Sequence, residues 1–427
     1  MIQYINPQKD TWNSLLQRPQ MDREQLEQQV SEILATVKRE GDEALSYYSR
    51  IFDPSPVSNF KVTPAEIASQ AAQVPLNLQE AIDQAAININ KFHESQRVSP
   101  ERTETAEGVS CWRKSIPIER VGLYVPGGSV PLFSSFLMLV IPARLAGCEK
   151  VVVCTPPNSQ GNVEPTIAYI AQKFGIKSLF KVGGAQAIAA MTYGTNSLPK
   201  VDKILGPGNQ YVTAAKQLLQ REGLAIDMPA GPSEVLVIAD EGANASFIAA
   251  DLLSQAEHGP DSQVILCTPS TALATAVTDE ISKQIADLPR KPIAEKSLEN
   301  SKVFVLRDLE TCFELSNYYA PEHLILATQN SEKDAGKVKN AGSVFLGQYS
   351  CETAGDYASG TNHTLPTNGC ARGYSGVSLD SFVKKVSFQK LSKQGLENLG
   401  NTLLTLARAE GLEAHARAVS IRLNDNA

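Results

Sequence analysis

The sequence predicts an α/β chain with two parallel-sheet domains, and three observations lead there. From 116 onwards, short β-branched runs alternate with helical stretches. Each run is followed by Gly or Pro, as a strand turning into a helix requires. A Pro229-Ala230-Gly231-Pro232 turn then divides the runs into two series. Runs that are apolar throughout, rather than alternating, belong to strands covered on both faces.

Taken in order, the first residues carry no regular pattern, and 1–21 is read as an N-terminal helical arm. Asp22 followed by Gln25 resembles a capping box, and Val30, Ile33, Leu34 and Val37 fall on one helical stripe. A long amphipathic helix is therefore expected over 22–51, bent around Gly41. A second covers 77–94, with Ile82, Ala85, Ala86 and Ile89 in register, and His93 near its end is read as a surface or helix-terminal residue. Strands are expected at Val121–Val125, Val151–Cys154, Leu179–Val182 and Lys203–Leu205. The second series is Val235–Ala239, Val264–Thr268, Val303–Val305, Leu324–Ala327 and Ser343–Leu346. This gives two Rossmann-like domains of related topology: a discontinuous one from 22–124 and 233–377, and one from 125–232. After about 378 strand signals fade, and Leu399–Leu423 reads as helix interrupted by Gly411. The tail 378–427 is too small to bury a core alone and is expected to pack on a neighbour, another subunit among the candidates.

Composition narrows the function. The 427 residues are 42% hydrophobic and 20% charged, ordinary for a globular protein. A net charge of -7 argues against nucleic acid as partner. Phe136–Ile141, the most apolar stretch, stops at Pro142 and is too short to span a bilayer. No signal peptide is evident, and the odd number of cysteines, 7, shows no C-x-x-C pair. Reduced thiols and a cytoplasmic location are expected.

Four stretches carry candidate chemistry. Gln255 and His258 are three residues apart at a helix end closed by Gly259-Pro260, so both project from its last turn. Imidazole is a common zinc ligand and a Gln carbonyl an unusual one, and two ligands cannot close a zinc site. A helix end with a satisfied His is the plain alternative. Gly355 to His363 reads as a loop presenting Asp356 and His363, though its residues are also ordinary turn formers. Glu410 and His415 flank Gly411; they diverge by about 140° in an unbroken helix and converge only if Gly411 breaks it. Adjacent Glu322-His323 follow Pro321 at a strand edge and supply two proton-transfer groups of different natural pKa. A G-x-G-x-x-G fingerprint is absent. Three strand ends, Tyr124 to Gly128, Val182 to Gln186 and Leu205 to Asn209, instead offer glycine turns suited to phosphate or to a tight turn alone.

The segments Leu205-Gly-Pro-Gly-Asn209, Asp227 to Val235, Ser254 to Ser262, Pro321 to Leu324 and Gly355 to His363 together closely resemble histidinol dehydrogenases. The likeness runs from about Val121 to His363 and continues through Glu410 and His415. It implies oxidation of L-histidinol to L-histidine through histidinal, the last step of histidine biosynthesis, with two NAD⁺ and one Zn²⁺ per site. The resemblance makes Gln255, His258, Asp356 and His415 the zinc ligands and Glu322 and His323 the proton acceptors. Ser233, His363 and Glu410 contact substrate together with the ligands and His323, while Tyr124, Gln186 and Asn209 line the NAD site. It further implies a homodimer with intertwined tails. The alternatives are a zinc/NAD dehydrogenase of another amino alcohol or diol, a zinc hydrolase with Glu322 activating water, and aldehyde oxidation through a thiohemiacetal on Cys148 or Cys154.

Overall fold

The computed structural model describes residues 1–19, 23–127, 132–229 and 231–424. The expected Asp22 cap, Gly128 and Ala230 lie outside them. In chain order the strands are β1 (Ile2–Ile5), β2 (Arg102–Ala106), β3 (Val109–Pro117), β4 (Arg120–Tyr124), β5 (Lys150–Thr155), β6 (Ser178–Lys181) and β7 (Lys203–Leu205). There follow β8 (Ala225–Ile226), β9 (Glu234–Ala239), β10 (Gln263–Thr268), β11 (Lys302–Val305), β12 (His323–Ala327), β13 (Ser343–Leu346) and β14 (Val383–Leu391).

Two parallel sheets organise the molecule. One has the order β6-β5-β4-β7-β8, the other β1-β11-β10-β9-β12-β13. Numbered within each series, both read 3-2-1-4-5, the doubly wound order, so the related topology expected from the sequence is present. The central strands are buried along their length; β9 and β10 are buried at every residue. That explains why they read as unbroken apolar runs.

Three expectations need correction. The N-terminal segment is not simply helical: Ile2–Ile5 adds in parallel to β11 as an edge strand, and only then does a helical turn, Trp12–Leu15, bury Trp12. The segment 22–124 does not join the six-stranded sheet. Helix Arg23–Glu40 packs Val30, Ile33, Leu34 and Val37 into one core with Val152, Phe180 and Ile188, and helix Leu76–Glu94 packs Ile82 and Ile89 with Val121 and Phe136. Strand β4 is itself central in the five-stranded sheet. Helical periodicity identifies an apolar face but not the sheet that will cover it. Finally, the tail contains β14, which pairs antiparallel with β3, as β2 does, in a three-stranded sheet. Its alternating Lys-Lys-Val-Ser-Phe-Gln-Lys pattern is half exposed, and Phe388 stacks on Trp112 at 5.5 Å. Pro142, which closes the most apolar stretch, lies inside helix Phe133–Ala146.

Helices Lys393–Ala409 and Glu413–Leu423 flank Gly411, which has φ of 74° and lets the chain turn between them. Among the described residues, no helix is long and apolar enough to cross a membrane.

The turn after β7 is fixed by a buried ion pair. Lys216 Nζ meets Asp227 Oδ1 at 2.5 Å and the Gly206 carbonyl at 2.9 Å, while Gly206 N–H donates to Asp227 Oδ2 at 2.8 Å. Gly206 has φ of 134°, and a Cβ there would collide with the Tyr124 carbonyl. Lys216→Met leaves the Asp227 carboxylate buried without its partner. It should cost about 3–5 kcal/mol in urea unfolding, and a loss below about 1 kcal/mol would show that the pair does not hold the turn.

Candidate active site

The two sheets carry their candidate site residues at opposite ends. Ligand crevices in doubly wound sheets lie beyond the C-terminal strand ends. The five-stranded sheet obeys this rule: Tyr124 ends β4, Thr155 ends β5, and Gly183 and Asn209 follow β6 and β7. Together with Gly127, Gly184 and Gln186 they line a partly open cavity of about 1030 Å³. Tyr124 Oη accepts from Gly184 N–H at 3.0 Å, and burial pushes its hydroxyl pKa up to about 12. Asn209 caps helix Gln210–Gln220 by accepting from Val212 N–H at 3.1 Å. All three expected cofactor-site residues, Tyr124, Gln186 and Asn209, therefore share one cavity. Sequence reasoning missed its opposite wall, Tyr48, Phe52 and Asp53, which comes from helix Asp42–Phe52 and its C-cap. No lysine or arginine lines it among the described residues, whereas Glu32, Asp53 and Glu164 do.

The six-stranded sheet contributes its N-terminal edge. His323 begins β12 and lies opposite Val235 on β9, which brings Glu322 opposite Glu234. His323 Nδ1 donates to the Glu234 carbonyl at 3.1 Å, and Glu234 N–H donates to Glu322 Oε2 at 2.9 Å. Gln255, in the last turn of helix Ala245–Ala256, returns to the same edge. Its amide nitrogen donates to Glu352 Oε1, and its oxygen accepts from Glu234 N–H at 2.8 Å. Asp356 comes from helix Glu352–Tyr357, a helix where the sequence reads as loop. Its Oδ1 lies 3.6 Å from His323 Nε2, while Glu352 Oε1 and Glu322 Oε2 each lie 3.6 Å from Nδ1.

Glu352 is a further residue that sequence reasoning missed. Cys351-Glu-Thr-Ala carries no recognisable motif, yet the carboxylate is 1% exposed and its Oε2 is unpartnered. His363 follows on the next loop, with Nδ1 on the Asp356 carbonyl at 2.7 Å and Nε2 on Ser135 Oγ at 3.0 Å. Ser233 is half-buried just before Glu234, its carbonyl taken by Gln263 N–H. His258 lies past the helix end, reachable by solvent.

His93 departs from expectation. It is fully buried, Nδ1 bonding the Ile89 carbonyl at 2.9 Å and Nε2 facing Asn362 Nδ2 at 3.3 Å. Burial lowers its pKa, so the neutral ring donates through Nδ1 and accepts from Asn362. Asn362 also donates to the Met138 carbonyl, anchoring the His363 loop to the other domain. Glu410 and His415 are exposed on the tail, and neither makes a hydrogen bond or ion pair with the cluster. The chain thus gathers Gln255, Asp356, Glu322, His323 and His363, but leaves these two outside.

Burial dominates the electrostatics. It pushes the Glu322 carboxyl up to about 8 and holds Glu352 well above the usual carboxylate range, although His323 opposes both. Burial would also lower His323, but Glu352, Glu322 and Asp356 outweigh it and hold the ring well above its ordinary value. Desolvation would raise Asp356, yet the His323 contact and the other histidines keep it low, while His363 is lowered by desolvation. The cluster has more carboxylates than cations, and His323 Nε2 and Glu352 Oε2 have no hydrogen-bond partner. Ligand atoms of His323, Glu352 and Asp356 lie within 4.8 Å of one another. An acid-rich pocket of oxygen and imidazole donors fits a divalent cation such as zinc. Cys148 and Cys154, by contrast, are buried thiols whose pKa values burial raises, Cys148 to about 11; neither is an activated nucleophile.

The sequence pattern of the family described as histidinol dehydrogenase matches residues 16–423. A histidinol dehydrogenase of Bacteroides thetaiotaomicron is 54% identical over 99% of each chain, and one of Bacteroides fragilis is 52% identical over 100% of this chain and 99% of its own. The crystal structure of histidinol dehydrogenase from Elizabethkingia anophelis superposes with a TM-score of 0.96 at 55% identity, covering 99% of this chain and 98% of that one.

Glu322 titrates near 8 in the folded protein, above its ordinary 4.5, so folding favours its protonated form. That contribution is present below about pH 4.5 and is lost as pH rises to about 8. The metal-free protein should lose melting temperature across this interval, and Glu322→Gln should make the loss shallower. Parallel melting curves for the two proteins would contradict the assignment.

Proposed function

The chain belongs to the histidinol dehydrogenase family, NAD-dependent oxidoreductases of histidine biosynthesis, and from that premise we propose how its residues carry the reaction. The substrate is L-histidinol, oxidised through histidinal to L-histidine with two NAD⁺. The enzyme works in the cytoplasm as a homodimer. The observation that carries this reading is the buried Glu322-His323 pair beside Asp356, with His323 Nε2 unpartnered.

Gln255, His258 and Asp356 of one chain, with His415 of a second copy, would hold one zinc ion. Tyr124, Gln186 and Asn209 would line the NAD site, where an acidic, cation-free wall suits a cofactor without a 2′-phosphate. Zinc held there would supply a Lewis acid for the substrate, and NAD⁺ would supply the hydride acceptor.

The chain's own residues do the rest. His323 takes the hydroxyl proton at Nε2 as hydride leaves the carbinol carbon. Its Nδ1–H stays on the Glu234 carbonyl, which fixes the ring's orientation and tautomer. Three carboxylates favour protonated His323, and engagement of Asp356 in holding a cation would leave the ring a stronger candidate for proton acceptance. Glu322, once ionised, takes a proton from the water that adds to the aldehyde. Ser233, His363 and the second copy's Glu410 orient the cationic substrate, with the ligand residues and His323 completing its contacts.

Two measurements test this. In Glu322→Gln, histidinal oxidation should fall about 100-fold or more while histidinol oxidation falls about 10-fold or less, within the usual range for a lost general base. Equal losses would refute the division of labour. For the shared site, His415→Ala and His323→Ala chains, each inactive alone, should be co-expressed. A site assembled from two chains regains about a quarter of wild-type activity from random pairing, and a site within one chain regains none.

A further inference from the structure

The pair that the previous reading makes responsible for proton transfer is tied to the chain's N-terminus. We propose that Arg18 is a positioning residue, which holds Glu322 and His323 in register by clamping Glu234. This rests on that reading of the pair.

The clamp is built from residues remote in sequence. Arg18 forks onto Glu234, Nε to Oε1 at 2.5 Å and Nη2 to Oε2 at 3.0 Å, across 216 residues. The side chains are 14% and 3% exposed, so the pair is shielded from water. The guanidinium carbon also lies 3.8 Å from the Tyr319 ring centroid, and Nη2 donates to the Tyr319 carbonyl at 2.8 Å. Asn368 N–H adds a bond to Glu234 Oε1 at 2.8 Å. On the N-terminal side, Tyr319 Oη donates to Gln263 Oε1, and Gln263 Nε2 donates to the Gln17 carbonyl at 3.0 Å. The backbone beside Arg18 is therefore pinned, and Trp12 and Leu16 bury the segment leading to it.

What the clamp holds is the point of interest. Glu234 touches both members of the pair through its backbone: its N–H reaches Glu322 and its carbonyl receives His323 Nδ1–H. The same N–H faces the Gln255 amide oxygen. One residue thus sets the carboxylate, the imidazole and a proposed metal ligand, and Arg18 sets that residue. A buried ion pair adds little net stability against an apolar replacement, because desolvation offsets the attraction. A fold-only staple at this place would be served as well by two apolar side chains. A planar two-pronged fork fixes the direction of the Glu234 side chain, which a lysine ammonium does not.

The test uses the zinc-loaded enzyme, with both half-reactions followed at saturating NAD⁺ and zinc content and melting temperature measured on each variant. Arg18→Met should lower kcat for both half-reactions about 100-fold, as a displacement near 1 Å at the reacting groups does, with KM for histidinol within about 3-fold. Arg18→Lys, which keeps the charge but not the fork, should fold and recover only part of the loss, remaining about 10-fold down. Wild-type kcat in a folded Arg18→Met, whatever its melting temperature, would overturn the proposal. If that variant does not fold, wild-type kcat in Arg18→Lys overturns it instead. Glu322→Gln and His323→Gln run alongside: activity surviving in both would mean that the proton-transfer reading is at fault, whereas their loss with Arg18 variants unaffected would isolate the failure to the clamp.

Discussion

Burying Glu234, Glu322, Glu352 and Asp356 around one imidazole is the constraint on which this structure turns. Carboxylates removed from water must be paired, bonded or protonated. Each solution is visible here: Glu234 is paired by Arg18, Glu352 receives the Gln255 amide, Asp356 faces His323, and Glu322 is held as a weak acid by burial. Elements from four parts of the chain converge there and bring more carboxylates than positive charges. The same shortage gives a divalent cation a place, since it would relieve several carboxylates at once.

The two sheets carry their site residues at different ends, and this decides what each can offer. Beyond the C-terminal ends of the five-stranded sheet, glycine turns and helix starts line a large cavity. At the N-terminal edge of the six-stranded sheet, strand starts and a helix end present side chains instead. The His363 loop bridges them, tied by Asn362 to the Met138 carbonyl and by His363 to Ser135. Hydride transfer between groups held on separate domains requires such fixed bridges.

The sequence was informative where one signal sufficed. Buried strands announce themselves as β-branched runs, and the nine expected in the two sheets lie within a residue of those observed. Strands β2, β3 and β14 escaped because little of them is buried, so that their short polar runs resemble coil. The allegiance of helices 23–94 escaped because periodicity does not name a partner. Within the site, Glu322, His323 and Gln255 stood in recognisable motifs. Glu352 and Arg18 did not: a lone acid after Cys351 and a lone Arg before Pro19 gain meaning only when β9 and β12 pair in register. Their function is a property of the fold, not of local sequence.

The tail raises the same issue between chains. Helices Lys393–Ala409 and Glu413–Leu423 pack mainly on each other, and the first reaches the body beside β14 and the turn around Gly108. Leu406, Leu412 and Ile421 remain exposed beside the exposed Glu410 and His415. Apolar surface next to polar residues with no local partner is the pattern of a contact surface. If a second copy covers it, dimer formation buries those side chains and delivers the missing ligand in one event. Folding of the tail, metal affinity and activity would then share a dependence on protein concentration. Such an arrangement would also account for a cluster that is rich in acids within one chain, since a histidine presented by a second copy would complete it.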